Sequence, residues 1–295
     1  MTTMHLFGVG VGPGDPELVT IKAVRVLTEA GLVLVPVMAG ARQAGPGRAE
    51  ATVRAHVDGA RIRRVPFALS DRGGVTPGRR AAWEAAAREV ATAFAGGTGT
   101  VAFATIGDPN IYSTFSYLAQ TVRELVPGVA VHTVPGITAM QDLAARSGTV
   151  LAEGSESLVL LPLEPGPLEP GRLGPGPLGP GRLGPGRLEP GPLEPGPLEP
   201  ALRDALARHD TVVVYKLGGA ASGGQRTPET SALIPALLAT LQESGRLDDA
   251  IYGARLGLPG EDIRPVRDLT GTTAVPYLSA LIAPGRRSGT GSKLR

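Results

Sequence analysis

Gly107, Asp108 and Pro109 stand between an apolar run, Thr100-Val101-Ala102-Phe103-Ala104, and a stretch of helical spacing over residues 116–125. Glycine at such a turn lets a ligand approach the backbone, and proline stiffens it. The carboxylate of Asp108 either caps the following helix or holds a polar ligand group. Two further turns have the same character. Leu6-Phe7-Gly8-Val9-Gly10-Val11-Gly12 runs into Pro13-Gly14-Asp15-Pro16, and Val131-His132-Thr133-Val134 runs into Pro135-Gly136-Ile137-Thr138-Ala139. If the three strands are parallel, the three turns gather at one end of a sheet, where open α/β sheets bind ligands. Any one of them alone would be satisfied by a capped turn with no ligand. The first is not a dinucleotide fingerprint, because Pro13 stands where the third glycine should be.

The elements that must position these turns alternate along the chain. Strands are expected over residues 5–11, 32–37, 61–67, 100–104 and 129–134, and helices over 20–30, 79–95, 116–125 and 140–147. Asp15 is read as a cap for the helix that follows it, or as a ligand contact. Past a polar connector come strands over 157–161, 210–217, 249–256 and 276–283, with a strand or edge near 262–268 and helices over 201–208 and 231–244. Such alternation predicts two α/β blocks, residues 1–150 and 151–285, with a frayed polar tail over 286–295.

Residues 162–200 are of different composition. A unit Pro/Arg-Leu-Glu/Gly-Pro-Gly repeats seven times, and 13 of the chain's 28 prolines fall there. Pro-Gly at every fifth position blocks helix and ladder alike, and one leucine per unit cannot offset the ordering entropy. The expectation is a disordered insertion in the second block, which a surface loop tolerates.

Composition excludes several classes. The 295 residues are 42% hydrophobic and 19% charged, and 29 basic against 27 acidic residues leave a net charge of +2. With 4% aromatics and no basic stripe, a nucleic-acid partner is not expected. The absence of cysteine removes disulfides, thiolate metal sites and thiol nucleophiles. His5, His56, His132 and His209 share no metal-ligand spacing, so no metal is expected. Neither a signal peptide nor a membrane span of about 20 apolar residues is visible, which leaves a cytoplasmic protein. Arg42 and Arg48 flank a glycine-rich stretch near the proposed crevice and are candidates to meet an acidic substrate.

In the order and spacing of the G-x-G-P-G-D-P turn, the G-D-P loop and the V-P-G-I-T-A turn, the chain resembles the tetrapyrrole (precorrin and uroporphyrinogen) methylases. Within that family, Gly107-Asp108-Pro109-Asn110-Ile111-Tyr112-Ser113-Thr114-Phe115-Ser116-Tyr117-Leu118 is most similar to the branch that methylates precorrin-2 at C20. The resemblance covers nearly the whole chain except the 162–200 insertion and the last residues. It implies two α/β domains with S-adenosyl-L-methionine in the cleft between them, and a homodimer.

Carried over position by position, the cofactor contacts implied are Pro13, Ile106, Gly107, Asp108, Ile111, Thr138 and Ala139. From the second block come Lys216, Leu256 and Gly257. Lys216 stands where related members carry a neutral residue. A sulfonium methyl group is already activated, so methyl transfer asks mainly for alignment and no metal. Asp108 and Tyr112 are the candidates for steering the substrate or accepting a proton. The rivals are a cobalt-containing precorrin-2, another ring position, a ribosomal RNA methylase of the same fold, and a non-catalytic tetrapyrrole-binding scaffold.

Overall fold

A computed structural model describes residues 3–38, 46–67, 76–162, 198–218, 228–270, 273 and 275–287. Among them, ten strands form two five-stranded sheets.

In the first sheet, β1 (His5–Gly10), β2 (Leu32–Met38), β3 (Ile62–Phe67), β4 (Thr100–Thr105) and β5 (Ala130–Val134) are ordered β3-β2-β4-β1-β5. Every pairing in it is parallel. Near-continuous apolar runs such as Val101 to Ala104 are what strands buried on both faces require. Helices α1 (Ile21–Glu29) and α2 (Arg48–Arg54) cover one face around Val9, Val33, Val35 and Ala104. The other face, around Leu6, Leu34 and Phe103, is covered by α3 (Pro77–Ala95) and α4 (Phe115–Leu125). The chain therefore leaves the neighbouring strands β1 and β4 toward opposite faces, and a crevice opens between their ends.

α5 (Ala139–Ser147) follows β5 but packs elsewhere. Its Leu143 and Ala144 are buried against Val213, Ala280 and Ile282 of the second sheet. That sheet comprises β6 (Leu158–Pro162), β7 (Thr211–Tyr215), β8 (Ile251–Ala254), β9 (Asp262–Pro265) and β10 (Ser279–Ala283), ordered β6-β7-β10-β8-β9. Only β6 and β7 pair in parallel; the remaining pairs are antiparallel. Its other face packs on α6 (Leu198–Arg208) and α7 (Pro228–Glu243).

Several expectations are corrected. α2 was not foreseen: seven residues are too few to show a hydrophobic period, and its cap is Gly47 rather than a polar side chain. Asp15 caps only a 3-10 turn, Pro16–Leu18, while the Thr20 hydroxyl caps α1 by accepting the Ala23 N–H at 3.1 Å. α6 begins at Leu198, inside the last unit of the pentapeptide repeat. The remainder of the repeat, residues 163–197, lies outside the described residues, as do Arg42 and 288–295. Among the described residues, no helix is long and apolar enough to cross a membrane.

Candidate active site

The three glycine-bearing turns meet. Val11 N–H donates to the Thr105 carbonyl at 2.9 Å, and Gly107 N–H donates to the Gly12 carbonyl at 2.8 Å, so the first two turns pair beyond their strands. Asp108 adds the third: its Oδ2 accepts the Gly136 N–H at 3.0 Å, and its Oδ1 accepts the Asn110 N–H at 2.8 Å. It does not cap α4, whose first amide, Phe115 N–H, donates instead to the Ser113 hydroxyl at 3.2 Å.

The glycines divide by cause. A Cβ on Gly10 would sit 2.5 Å from the Gly107 carbonyl oxygen, and one on Gly136 would strike the same atom. Those two are required by chain packing against chain. Gly107 has φ +70°, a left-handed conformation, and a Cβ there would meet only the Thr138 Cα, at 4.0 Å. The space over Gly107 is thus open to a ligand.

Thr138 is 5% exposed and caps α5 in a capping box with Gln141. Behind it, the Tyr215 hydroxyl at the end of β7 accepts the Met140 N–H at 3.1 Å. Burial pushes the Tyr215 pKa up against the smaller opposing pull of Thr138 and of that amide. Ala139 packs in the same apolar layer, and Ile111 N–H donates to the Asp108 carbonyl at 3.3 Å. Pro13 is buried, Ile106 half-buried.

The second sheet closes on the first turn. A Cβ on Gly14 would lie 2.5 Å from the Leu256 carbonyl oxygen, and one on Gly257 would strike the Asp15 backbone. Leu256 is buried, and Gly257 has φ +69°. Arg146 of α5 locks this junction: it donates to both Glu261 carboxylate oxygens at 2.7 and 2.8 Å and to Asp142 at 2.9 Å, with Asp15 at 3.9 Å. Hydrogen bonding to Asp142, opposed by desolvation and aided by the charges of Asp142, Glu261 and Asp15, raises its pKa. Sequence reasoning missed this residue, although the Asp142–Arg146 helical spacing was a signal.

Tyr112 completes the wall. Its hydroxyl donates to the Leu160 carbonyl at 3.1 Å, its ring lies edge-on to Tyr215 at 5.9 Å, and Lys216 Nζ sits 5.3 Å from its centroid. The residue remains 46% exposed. Tyr112, Lys216 and Arg255 have φ of 49°, 61° and 52°. Left-handed backbone at non-glycine residues costs energy and clusters at functional sites. Near Arg255 stands Arg48 of α2; desolvation lowers the Arg48 pKa and the charge of Arg255 lowers it further.

Comparison with known proteins adds the decisive observation: the family model for Tetrapyrrole (Corrin/Porphyrin) Methylases matches residues 5–269. The chain belongs to the tetrapyrrole methylase family. This tetrapyrrole methylase is 36% identical over 158 residues to a probable cobalt-precorrin-2 C(20)-methyltransferase of Methanocaldococcus jannaschii, covering 53% of the chain and 63% of the relative. It is 30% identical over 287 residues to the cobalamin biosynthesis protein CobIJ of Mycobacterium tuberculosis, covering 96% of the chain and 46% of the relative. The chain thus spans about half the length of these curated relatives. A precorrin-2 C(20)-methyltransferase of Sinorhizobium sp is 28% identical over 288 residues, 95% of either chain. Among solved structures, the cobalt precorrin-4 methyltransferase CbiF shares the fold, with TM-score 0.60, 19% identity and 95% of either chain covered.

Proposed function

We propose that this tetrapyrrole methylase transfers a methyl group from S-adenosylmethionine to C20 of precorrin-2, giving precorrin-3A in cobalamin synthesis. The observation that carries the reading is the junction of three strand-end turns through Asp108 and Gly136, facing the Leu256-Gly257 turn of the second sheet. The Gly107–Leu118 run and relatives bearing C20-methyltransferase names support the ring position.

The open Cα side of Gly107 is a cradle that any side chain would fill, which fits a cofactor laid across the turns. Pro13, Ile106, Gly107, Asp108, Ile111, Thr138, Ala139, Lys216, Leu256 and Gly257 would hold it. When bound, S-adenosylmethionine supplies an electrophilic methyl group. Asp108 has both carboxylate oxygens engaged by backbone amides, so it acts by holding the loops in place. Tyr112 offers a fixed aromatic face beside the substrate's approach. Arg48, whose charge burial and the nearby Arg255 disfavour, is the group that a substrate carboxylate would stabilise, with Arg255 as a second positive charge beside it. Residues 1–150 and 151–285 are read as the two domains that flank the cleft, in a cytoplasmic homodimer.

The test is incubation with precorrin-2 and methyl-labelled S-adenosylmethionine, with the methyl position read by NMR. Label at C20 is expected, and label elsewhere on the ring overturns the assignment. A second reading, cobalt-precorrin-2 as substrate, is favoured by the name of the archaeal relative. The same incubation with the cobalt-containing substrate decides between them.

A further inference from the structure

His5 and His132, 127 residues apart in sequence, stand on the neighbouring strands β1 and β5 and share a hydrogen bond between Nδ1 and Nε2 at 3.1 Å, which a metal ion would replace. Parallel pairing sets Phe7 opposite His132, so Phe7, His5 and His132 share one face of the sheet. The Phe7 ring stacks on His132 at 4.7 Å and lies 6.2 Å from His5, fixing both imidazole planes. The pair is open to solvent near the edge of the first sheet, His132 on the edge strand β5 and His5 on β1 beside it, and α5, the helix that follows β5, packs on the other sheet.

From these contacts the geometry points to a two-histidine site for a divalent transition metal such as zinc. Metal–nitrogen distances of about 2.0–2.1 Å require cis ligand nitrogens about 2.9 Å apart at right angles and about 3.3 Å apart in a tetrahedron. The observed separation falls between them. Each ring presents a lone pair to the metal once its proton sits on the outward nitrogen, Nε2 of His5 and Nδ1 of His132. Among the described residues no third histidine, aspartate or glutamate completes a cluster, so water fills the remaining positions. The ion would clip the edge strand β5 to β1. Because β5 leads directly into Gly136, whose amide Asp108 holds, the clip would steady the third turn of the cleft. Binding to the folded chain alone raises its stability with metal concentration.

The test uses untagged full-length protein titrated with zinc chloride by calorimetry, with thermal unfolding followed in parallel. Saturable binding of one zinc per chain and a zinc-dependent rise in Tm are expected, both lost in His5→Gln and in His132→Gln. Long-range 1H–15N spectra of the unmodified protein guard against a misfolded variant: His5 Nδ1 and His132 Nε2 should shift, while His56 and His209 should not. No binding, or binding that survives both substitutions, overturns the site.

Discussion

Asp108 Oδ2 accepts the backbone N–H of Gly136 at 3.0 Å, joining the turn after β4 to the turn after β5 across 28 residues of sequence. Its other oxygen is taken by Asn110, so the carboxylate serves two loops at once. Asp108→Ala leaves both amides without their acceptor, a loss of about 1–3 kcal/mol. The expected result is S-adenosylmethionine affinity weakened roughly tenfold or more by calorimetry, with Asp108→Asn intermediate. Unchanged affinity in the alanine variant would show that the turns hold their arrangement without it.

Tyr112→Phe removes the bond to the Leu160 carbonyl but keeps the ring that faces Lys216 and Tyr215. A neutral hydrogen bond is worth about 1 kcal/mol, so kcat/KM should fall roughly fivefold with cofactor affinity unaltered. A loss of about a hundredfold or more would instead place the hydroxyl in proton transfer.

Arg48→Ala and Arg255→Ala each remove one of the two neighbouring guanidinium groups. Charge-assisted bonds are worth about 1.5–3 kcal/mol, so KM for the tetrapyrrole should rise roughly tenfold or more while the dissociation constant of S-adenosylmethionine stays fixed. Equal weakening of both ligands would assign the pair to the architecture of the cleft instead.

Glu50, fully buried on α2, receives Arg64 at 2.6 Å and Arg54 at 2.8 Å, and its Oε2 accepts the Gly47 N–H at 3.3 Å. Burial opposes its charge, but Arg64, Arg54 and that amide together outweigh burial and hold its pKa below the ordinary value. A folded pKa below the unfolded one stabilises at pH values above about 4.3, and the contribution is lost as pH falls through the folded value. Glu50→Gln should cost about 3 kcal/mol at neutral pH by urea unfolding. The gap to wild type should then narrow in acid, and a gap independent of pH would contradict the argument.

What the sequence disclosed of the site follows from how local each signal is. The run Val101 to Ala104 is uniformly apolar, and its observed burial on both faces is the direct consequence. Thr138 and Gln141 form a capping box at a spacing of three, a local signal that sequence reasoning missed. Partners distant in sequence left no such trace. Asp108 reads equally well as a helix cap until Gly136 is placed beside it, and nothing in the sequence shows that Gly10 and Gly136 are both required by the Gly107 carbonyl. α2 escaped because one short helix with a glycine cap has no periodicity to display.

The sequence by itself determined the α/β alternation, the three glycine turns and the family motifs, because burial, turn chemistry and capping are written in neighbouring residues. Only the tertiary structure decided that α5 crosses to the second sheet, that Arg146 ties Asp15 to Glu261, and that His5 touches His132. Those contacts depend on strand order and on which face each helix covers. Both are settled by the packing of the whole chain rather than by any short stretch of it.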